Sequence, residues 1–332
     1  MGGPAVTGGG TAFLHDFLTF TAEHGLPLDF VSFHTKGSSF TPWRVYGPTG
    51  GDAPEKQSPS AHKMLFEVRS MLRVMAQFPQ YRTLPAIVDE CDAGVPAHFS
   101  FDDNANFRFQ NTEYYPVFPV KLMKKLLDLS DAEGANIQQA TSWSFYVEGE
   151  RFFEGTRAFL TADRIEKPLL NAYRLLAHMG AQRLAASSDA AHGVELLDEA
   201  GGRSMPEEVD VLASRHDDGR IAVALWRHTD DQYRTADSST PVALTIRGLA
   251  PGTHRLTHHR IDSGHPTSHT VWQALGSPQA PSPEQLPQIH AREGLEELEP
   301  PRRVEVGADG VLALTVELPL PAVSLLVLDE VR

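Results

Sequence analysis

The chain has 332 residues, 41% of them hydrophobic, enough for about two domains with ordinary cores. A net charge of −14, with Lys and Arg scattered apart from short groups such as Lys121, Lys124 and Lys125, excludes a nucleic-acid partner, because phosphate contacts need clustered cations. The single cysteine, Cys91, excludes an internal disulfide framework and a cysteine-based zinc site, and no apolar run of about 18 residues is present to span a membrane.

Met1-Gly-Gly-Pro-Ala-Val-Thr-Gly-Gly-Gly10 has neither the charged start nor the apolar stretch of a signal peptide. It reads as a Gly-rich loop that should follow something, so the chain is expected to begin inside a larger protein, with a cytoplasmic setting favoured. Without a P-loop Lys-Ser/Thr or a full Gly-x-Gly-x-x-Gly pattern, Gly8 to Gly10 is no phosphate cradle.

Phe13, Leu14, Phe17 and Leu18 recur at helical spacing between Thr11 and His24. Leu26 to His34 then reads as a strand ending in a polar residue, followed by a Gly/Pro-rich loop to Ser60 that is long enough to suggest function. Ala61 to Phe78 carries Met64, Leu65, Val68, Met71, Leu72 and Met75 along one side of a helix, and Ala86 to Glu90 is a second strand. After a loop to Asn111 come a helix from Tyr115 to Leu129, a third strand from Ile137 to Phe145, and a helix from about Pro168 to Met179. Strand–helix alternation with long loops on one side is the pattern of a parallel α/β fold.

From about residue 183 the pattern changes to short strands at Val209, Arg220, Val242, Thr253, Val311 and Ala322 onward. Asp-Asp-Gly, Ala-Pro-Gly and Ala-Asp-Gly turns separate them, as in hairpins and β-sandwiches. The expected domains are therefore 1–182 and an all-β 183–332, with the Pro/Glu-rich stretch from Gly276 to Pro301 lying across the surface of the second.

Glu90 closes the apolar run Leu84-Pro-Ala-Ile-Val-Asp-Glu90. An acid at the carboxyl end of a strand in a parallel α/β protein faces the active-site rim. The alternative is that Asp89-Glu90 caps the strand with solvated charge. Asp92, His98 and Asp103 follow in the next loop and can shape an entrance. His254, His258, His259, His265 and His269 are spaced too loosely for a metal set, and read as a sandwich-surface cluster.

Asp29-Phe-Val-Ser-Phe-His-Thr-Lys-Gly37, Ile87-Val-Asp-Glu-Cys-Asp92, Thr141-Ser-Trp-Ser-Phe145, Phe153-Glu-Gly-Thr-Arg157 and Lys167 to Leu176 occur in this order, with Arg260-Ile-Asp262 and Ala274 to Gln279 after them. Together they resemble glycoside hydrolase family 39, the family of β-xylosidases and α-L-iduronidases. The resemblance implies an α/β plus all-β architecture. Strands six to eight of a partial (β/α)8 TIM barrel, with Gly2-Gly-Pro4 at the end of strand five, would be followed by a β-sandwich. Three strands cannot close such a barrel, so the chain is expected to self-associate or to need the missing amino-terminal half.

By the same resemblance Glu90 is the catalytic nucleophile of a retaining glycosidase. The family acid/base, a Glu after Asn, has no counterpart: the chain contains no Asn-Glu pair, and Glu113, Glu148 and Glu154 do not occupy the matching element. Substrate contacts fall on His34, on Lys36 (the position with which iduronidases hold a uronate carboxylate), on Trp143 as a floor for the sugar, on Glu148 and on Arg157. Four of these have a plainer alternative: a satisfied strand-end histidine at His34, exposed cations at Lys36 and Arg157, and a core tryptophan at Trp143.

The reading is a retaining exo-glycoside hydrolase of xylosidase type that acts on an oligosaccharide or glycoside without a metal or cofactor, present without its proton donor. Lys36 leans toward an iduronidase-like hydrolase of uronic sugars, whereas the short loop after the third strand looks more like bacterial xylosidase-type members. The rival from another class is a non-catalytic carbohydrate-binding or scaffolding protein.

Overall fold

The computed structural model describes residues 1–38, 56–95, 97–143, 145–146, 151–161, 163–199, 204–236, 238–265 and 267–331. The chain packs into two compact units. The first comprises Met1–Gln110, Leu122–Ala162 and His192–Pro206, and the second Asn111–Lys121, Asp163–Ala191 and Glu207–Arg332.

In the first unit, β1 (Gly2–Val6), β2 (Phe30–Lys36), β3 (Pro85–Asp92) and β4 (Asn136–Ala140) form one sheet in that order. All three pairings are parallel. A parallel neighbour requires a crossover, and helices supply it: α1 (Thr11–Glu23), α2 (Ala61–Met75) and α3 (Tyr114–Glu133) separate successive strands. The residues of α3 fall in both units. Leu14 and Leu18 of α1, Val31 and Phe33 of β2, Met64, Leu65, Val68 and Met71 of α2, and Ala86 and Val88 of β3 are all fully buried. The periods of 3.6 and 2 seen in the sequence are those of this core. Ser60 caps α2 by accepting the Lys63 amide at 3.0 Å.

Boundaries differ from the sequence reading at several points. The amino-terminal Gly-rich segment is not all loop, since Gly2–Val6 is the edge strand β1. The strand read from Leu26 to His34 begins at Phe30 and runs on to Lys36, because Pro27 withholds a donor from its start and nothing before Gly37 ends the pairing. The third strand in the sequence reading stops at Ala140, five residues early, although the Thr141 backbone still bonds Val88 and Cys91.

The second unit holds a six-stranded sheet in the order β10-β9-β12-β7-β6-β5 and a two-stranded sheet, β11-β8. The strands are β5 (Gln182–Leu184), β6 (Glu208–Arg215), β7 (Ile221–His228), β8 (Thr240–Arg247), β9 (Gly252–Asp262), β10 (Glu297–Val306), β11 (Val311–Leu318) and β12 (Ala322–Glu330), and every pairing is antiparallel. β7 and β12 are buried on both faces. Ile221, Val223, Leu225, Leu326 and Leu328 join one core with Leu312, Val316 and Leu318, whereas Ala222, Ala224, Trp226, Val323 and Leu325 join another with Val117, Val120, Ala172 and Leu175. This is why both strands read as continuous apolar runs rather than as alternation. β8 faces solvent on one side and alternates, with Val242, Leu244 and Ile246 turned inward.

β10 was hidden in the Pro/Glu-rich stretch. It is an edge strand whose pairing with β9 shifts register at Glu297/Glu299 and again at Glu299/Arg302, leaving room for Pro300 and Pro301. A short helix, Leu286–His290, lies within that stretch, and another, Ser268–Ala274, precedes it. The five histidines have separate partners. His254 lies 2.8 Å from the Ala250 carbonyl oxygen, His258 2.9 Å from Ser324 Oγ and His265 2.7 Å from Asp262; His259 stacks on His178, and His269 packs beside Trp272. His254, His258 and His269 are buried, so they are not a surface cluster. Among the described residues no group of three His, Cys, Asp or Glu side chains is placed to hold a metal ion.

Candidate active site

The carboxyl end of β3 carries the site, and a β-bulge aims it. Phe33 pairs with Val88 and His34 with Glu90, so Asp89 is an extra residue on β3. Beyond the bulge His34 stands abreast of Glu90, and Lys36 abreast of Asp92. Residues i and i+2 of a strand share a face, which brings all four side chains together. Thr35, on the opposite face, donates to Glu67 of α2 at 2.7 Å. Glu67 also accepts the Lys36 amide at 3.4 Å, and Lys63 bonds the Lys36 carbonyl at 2.7 Å, so α2 anchors the end of β2. Gly37 then lets the chain pass close over β3, where a Cβ would sit 3.1 Å from the Ala93 carbonyl oxygen.

Glu90 Oε2 lies 2.8 Å from Lys36 Nζ, 3.3 Å from Arg157 Nη1 and 3.6 Å from His34 Nδ1. The other ring nitrogen of His34 is 3.4 Å from Asp89 Oδ1. Partial burial works to raise the Glu90 pKa, but the hydrogen bond and charge of Lys36, with His34 and Arg157, outweigh it and hold the carboxyl below its ordinary range. Its side chain keeps 21% of its surface exposed. Glu90 is therefore ionised and reachable, not a strand cap in bulk solvent.

Lys36 and Arg157 are not exposed cations. Arg157 is buried, donates to Asp92 at 3.1 Å and to the Val95 carbonyl at 2.6 Å, and stacks with its guanidinium carbon 4.6 Å from the centre of the Trp143 ring. Trp143 is 48% exposed, so it is not a core tryptophan. Asp92, which the sequence reading placed in the loop after Glu90 at an entrance, is instead the last residue of β3 and the buried centre of the arrangement, because pairing with Lys36 extends the strand past Glu90. Its side chain accepts from Lys36 Nζ at 2.5 Å, Ser142 Oγ at 2.5 Å, the Trp143 amide at 3.1 Å and Arg157 Nη1. Spacing of two from Glu90 on one strand is the signal that would have found it.

The structure thus brings His34, Lys36, Glu90, Trp143 and Arg157 together, while Glu148 lies outside the described residues. Glu154 is buried in an ion pair with Arg151 at 2.7 Å, and Asp103 binds the same guanidinium at 2.6 Å. Cys91, one residue after Glu90, faces away and is buried; burial raises its thiol pKa, with the Asp92 charge adding to the effect, and it is inert as a nucleophile.

Residues 1–305 match the family described as glycosyl hydrolases family 39. The chain belongs to that family. It is 24% identical to a β-xylosidase of Geobacillus stearothermophilus over 344 residues, which takes in 100% of this chain and 58% of that protein. It is 27% identical to the α-L-iduronidase of Canis lupus familiaris over 329 residues, 92% of this chain and 44% of that protein. The chain therefore spans about half the length of these two family 39 relatives.

Among solved structures, a family 39 enzyme from Xanthomonas axonopodis pv. citri superposes with a TM-score of 0.72 at 20% identity, covering 99% of this chain and 60% of that one. A monomeric β-xylosidase from Caulobacter crescentus CB15 gives 0.70 at 20% identity, over 100% and 61%. At these identities the likeness establishes a shared family 39 fold.

Proposed function

We propose that this family 39 chain carries the nucleophile of a retaining exo-glycoside hydrolase of xylosidase type, with Glu90 as that nucleophile. One observation carries the reading: an ionised, accessible carboxylate at the end of a parallel strand, bracketed by two cations and a histidine beside a half-exposed tryptophan. Glu90 attacks the anomeric carbon and forms a glycosyl ester while the leaving oxygen takes a proton; water then opens the ester and the configuration is retained. Trp143 offers a flat apolar surface to the C–H face of a pyranose, and His34 reaches a sugar hydroxyl or the nucleophile itself.

On this reading β1 to β4 are the last four strands of a (β/α)8 barrel, and the proton donor is supplied by polypeptide outside this chain. The carboxylates beside Glu90 do not serve as that donor. Asp92 accepts four hydrogen bonds and has no exposed side-chain surface with which to meet a leaving group, and Asp89 lies 3.4 Å from the far ring nitrogen of His34.

A second reading, hydrolysis of a uronic sugar, is favoured by one feature. Among the described residues Arg157 Nε is a buried donor with no hydrogen-bond partner, next to a Lys36 ammonium that has a third proton to offer. A sugar carboxylate suits both.

An activated glycoside tests these readings, because a dinitrophenolate leaves without a proton donor. The chain is incubated with a dinitrophenyl deoxyfluoro-xyloside or the corresponding iduronide, and its intact mass and peptide map are recorded. A single adduct on Glu90, absent in Glu90→Gln, is the expected result, and the sugar that gives it decides the specificity. An adduct on another carboxylate, or none with either sugar, removes the catalytic assignment and favours a carbohydrate-binding role.

A further inference from the structure

Two carboxylates and two cations share one corner of this site, and the sharing is uneven. Glu90 is partly exposed and meets Lys36 and Arg157 through a single oxygen, at 2.8 and 3.3 Å. Asp92 has no exposed side-chain surface and meets the same two cations more closely, at 2.5 and 3.1 Å. Its other oxygen is held by Ser142 Oγ and the Trp143 amide. These bonds reach Asp92 from β2, from the segment after β4 and from the loop bearing Arg157, so one buried carboxylate fixes the two cations and the backbone of the tryptophan platform.

We propose that Asp92 is the positioning residue of the site, drawing Lys36 and Arg157 partly off Glu90 so that Glu90 is ionised but not locked into ion pairs. The proposal deepens the reading of Glu90 as a glycosidase nucleophile and rests on it for its catalytic meaning. A carboxylate bonded to two cations attacks carbon poorly, since its charge is already neutralised. A competing anion relieves that. Asparagine cannot substitute: with its oxygen toward Ser142 and Trp143, its amide group would meet both cations. Lys36 and Arg157 would then turn wholly to Glu90.

The test is the titration of the Glu90 side-chain carboxyl, followed by carbon NMR on the full chain and assigned with Glu90→Gln, beside the rate of trapping by the activated glycoside. The groups that set this titration are Lys36, Arg157, His34, Asp89 and Asp92. In Asp92→Asn the Glu90 pKa is expected to fall by about one pH unit, and trapping to slow by about tenfold. Ser142→Ala keeps the buried charge but removes one of the bonds that aim it, and moves Glu90 in the same direction by less; it replaces Asp92→Asn if that variant does not fold. A Glu90 pKa unchanged or raised in the folded variant overturns the proposal. The two readings separate cleanly: trapping at Glu90 with no effect of either substitution defeats only the role of Asp92, whereas a lowered pKa in a chain that is never trapped defeats only the glycosidase.

Discussion

Glu90 and Asp92 reach the same two cations from alternate positions of one strand. That relationship makes the carboxyl end of β3 electrically balanced rather than simply acidic. Removing either cation is expected to disturb both acids. In Lys36→Met the Glu90 carboxyl loses its nearest cation, and its pKa should rise toward the ordinary range. The same NMR titration reads the change, and a pKa that stays low would show that Arg157 and His34 suffice.

The depressed pKa of Glu90 also sets a sign for stability. A carboxylate whose folded pKa lies below its unfolded value contributes stability above the unfolded value, near pH 4.5, and that contribution is lost as pH falls through the folded value. Thermal unfolding of wild type and Glu90→Gln between pH 3 and 6 should therefore differ in slope, with the variant less sensitive below about pH 4.5. Parallel curves would contradict the pairing.

Two histidines of the second unit act at a higher pH. Burial, reinforced by Arg260, pushes His258 down to about 4, and burial, with Lys167, pushes His269 down to about 3. Both are neutral in the folded chain, while the unfolded chain takes up protons below about pH 6.5. Stability should fall as the pH drops from about 6.5 toward 4. His269→Gln should flatten that decline in a series of melting temperatures.

Lys121 is fully buried, with Asp230 Oδ1 at 3.3 Å and Glu208 Oε1 at 3.8 Å. Lys121→Met leaves those two buried acids without this cation and should cost about 3–5 kcal/mol. Chemical denaturation would measure it, and a loss below about 1 kcal/mol would indicate that the acids are neutralised by other means.

β1 and β4 each have a strand partner on one side only among the described residues, and Phe13 and Phe20 of α1 are more than half exposed. Open edges and apolar patches promote association. The isolated chain is expected to scatter light as an oligomer, and a monomer at micromolar concentration would count against the proposed incomplete barrel.

Local signals in the sequence were enough to place most elements and the first candidate residue. Helical spacing in α1 and α2 and the doubly buried runs of β7 and β12 are properties of neighbouring residues, so they are legible along the chain. Glu90 was legible for the same reason, as an acid ending an apolar strand. β1 and β10 were not, because Gly2-Gly-Pro4 and Glu297 to Arg303 are poor strand formers that exist as strands only through pairing with β2 and β9. Only tertiary structure decided that Asp89 bulges, that Arg157 comes back across 65 residues to Asp92, and that Lys36 meets Asp92 across 56. Electrostatic balance depends on distances of a few ångströms between segments far apart in the chain, and no local pattern encodes such distances.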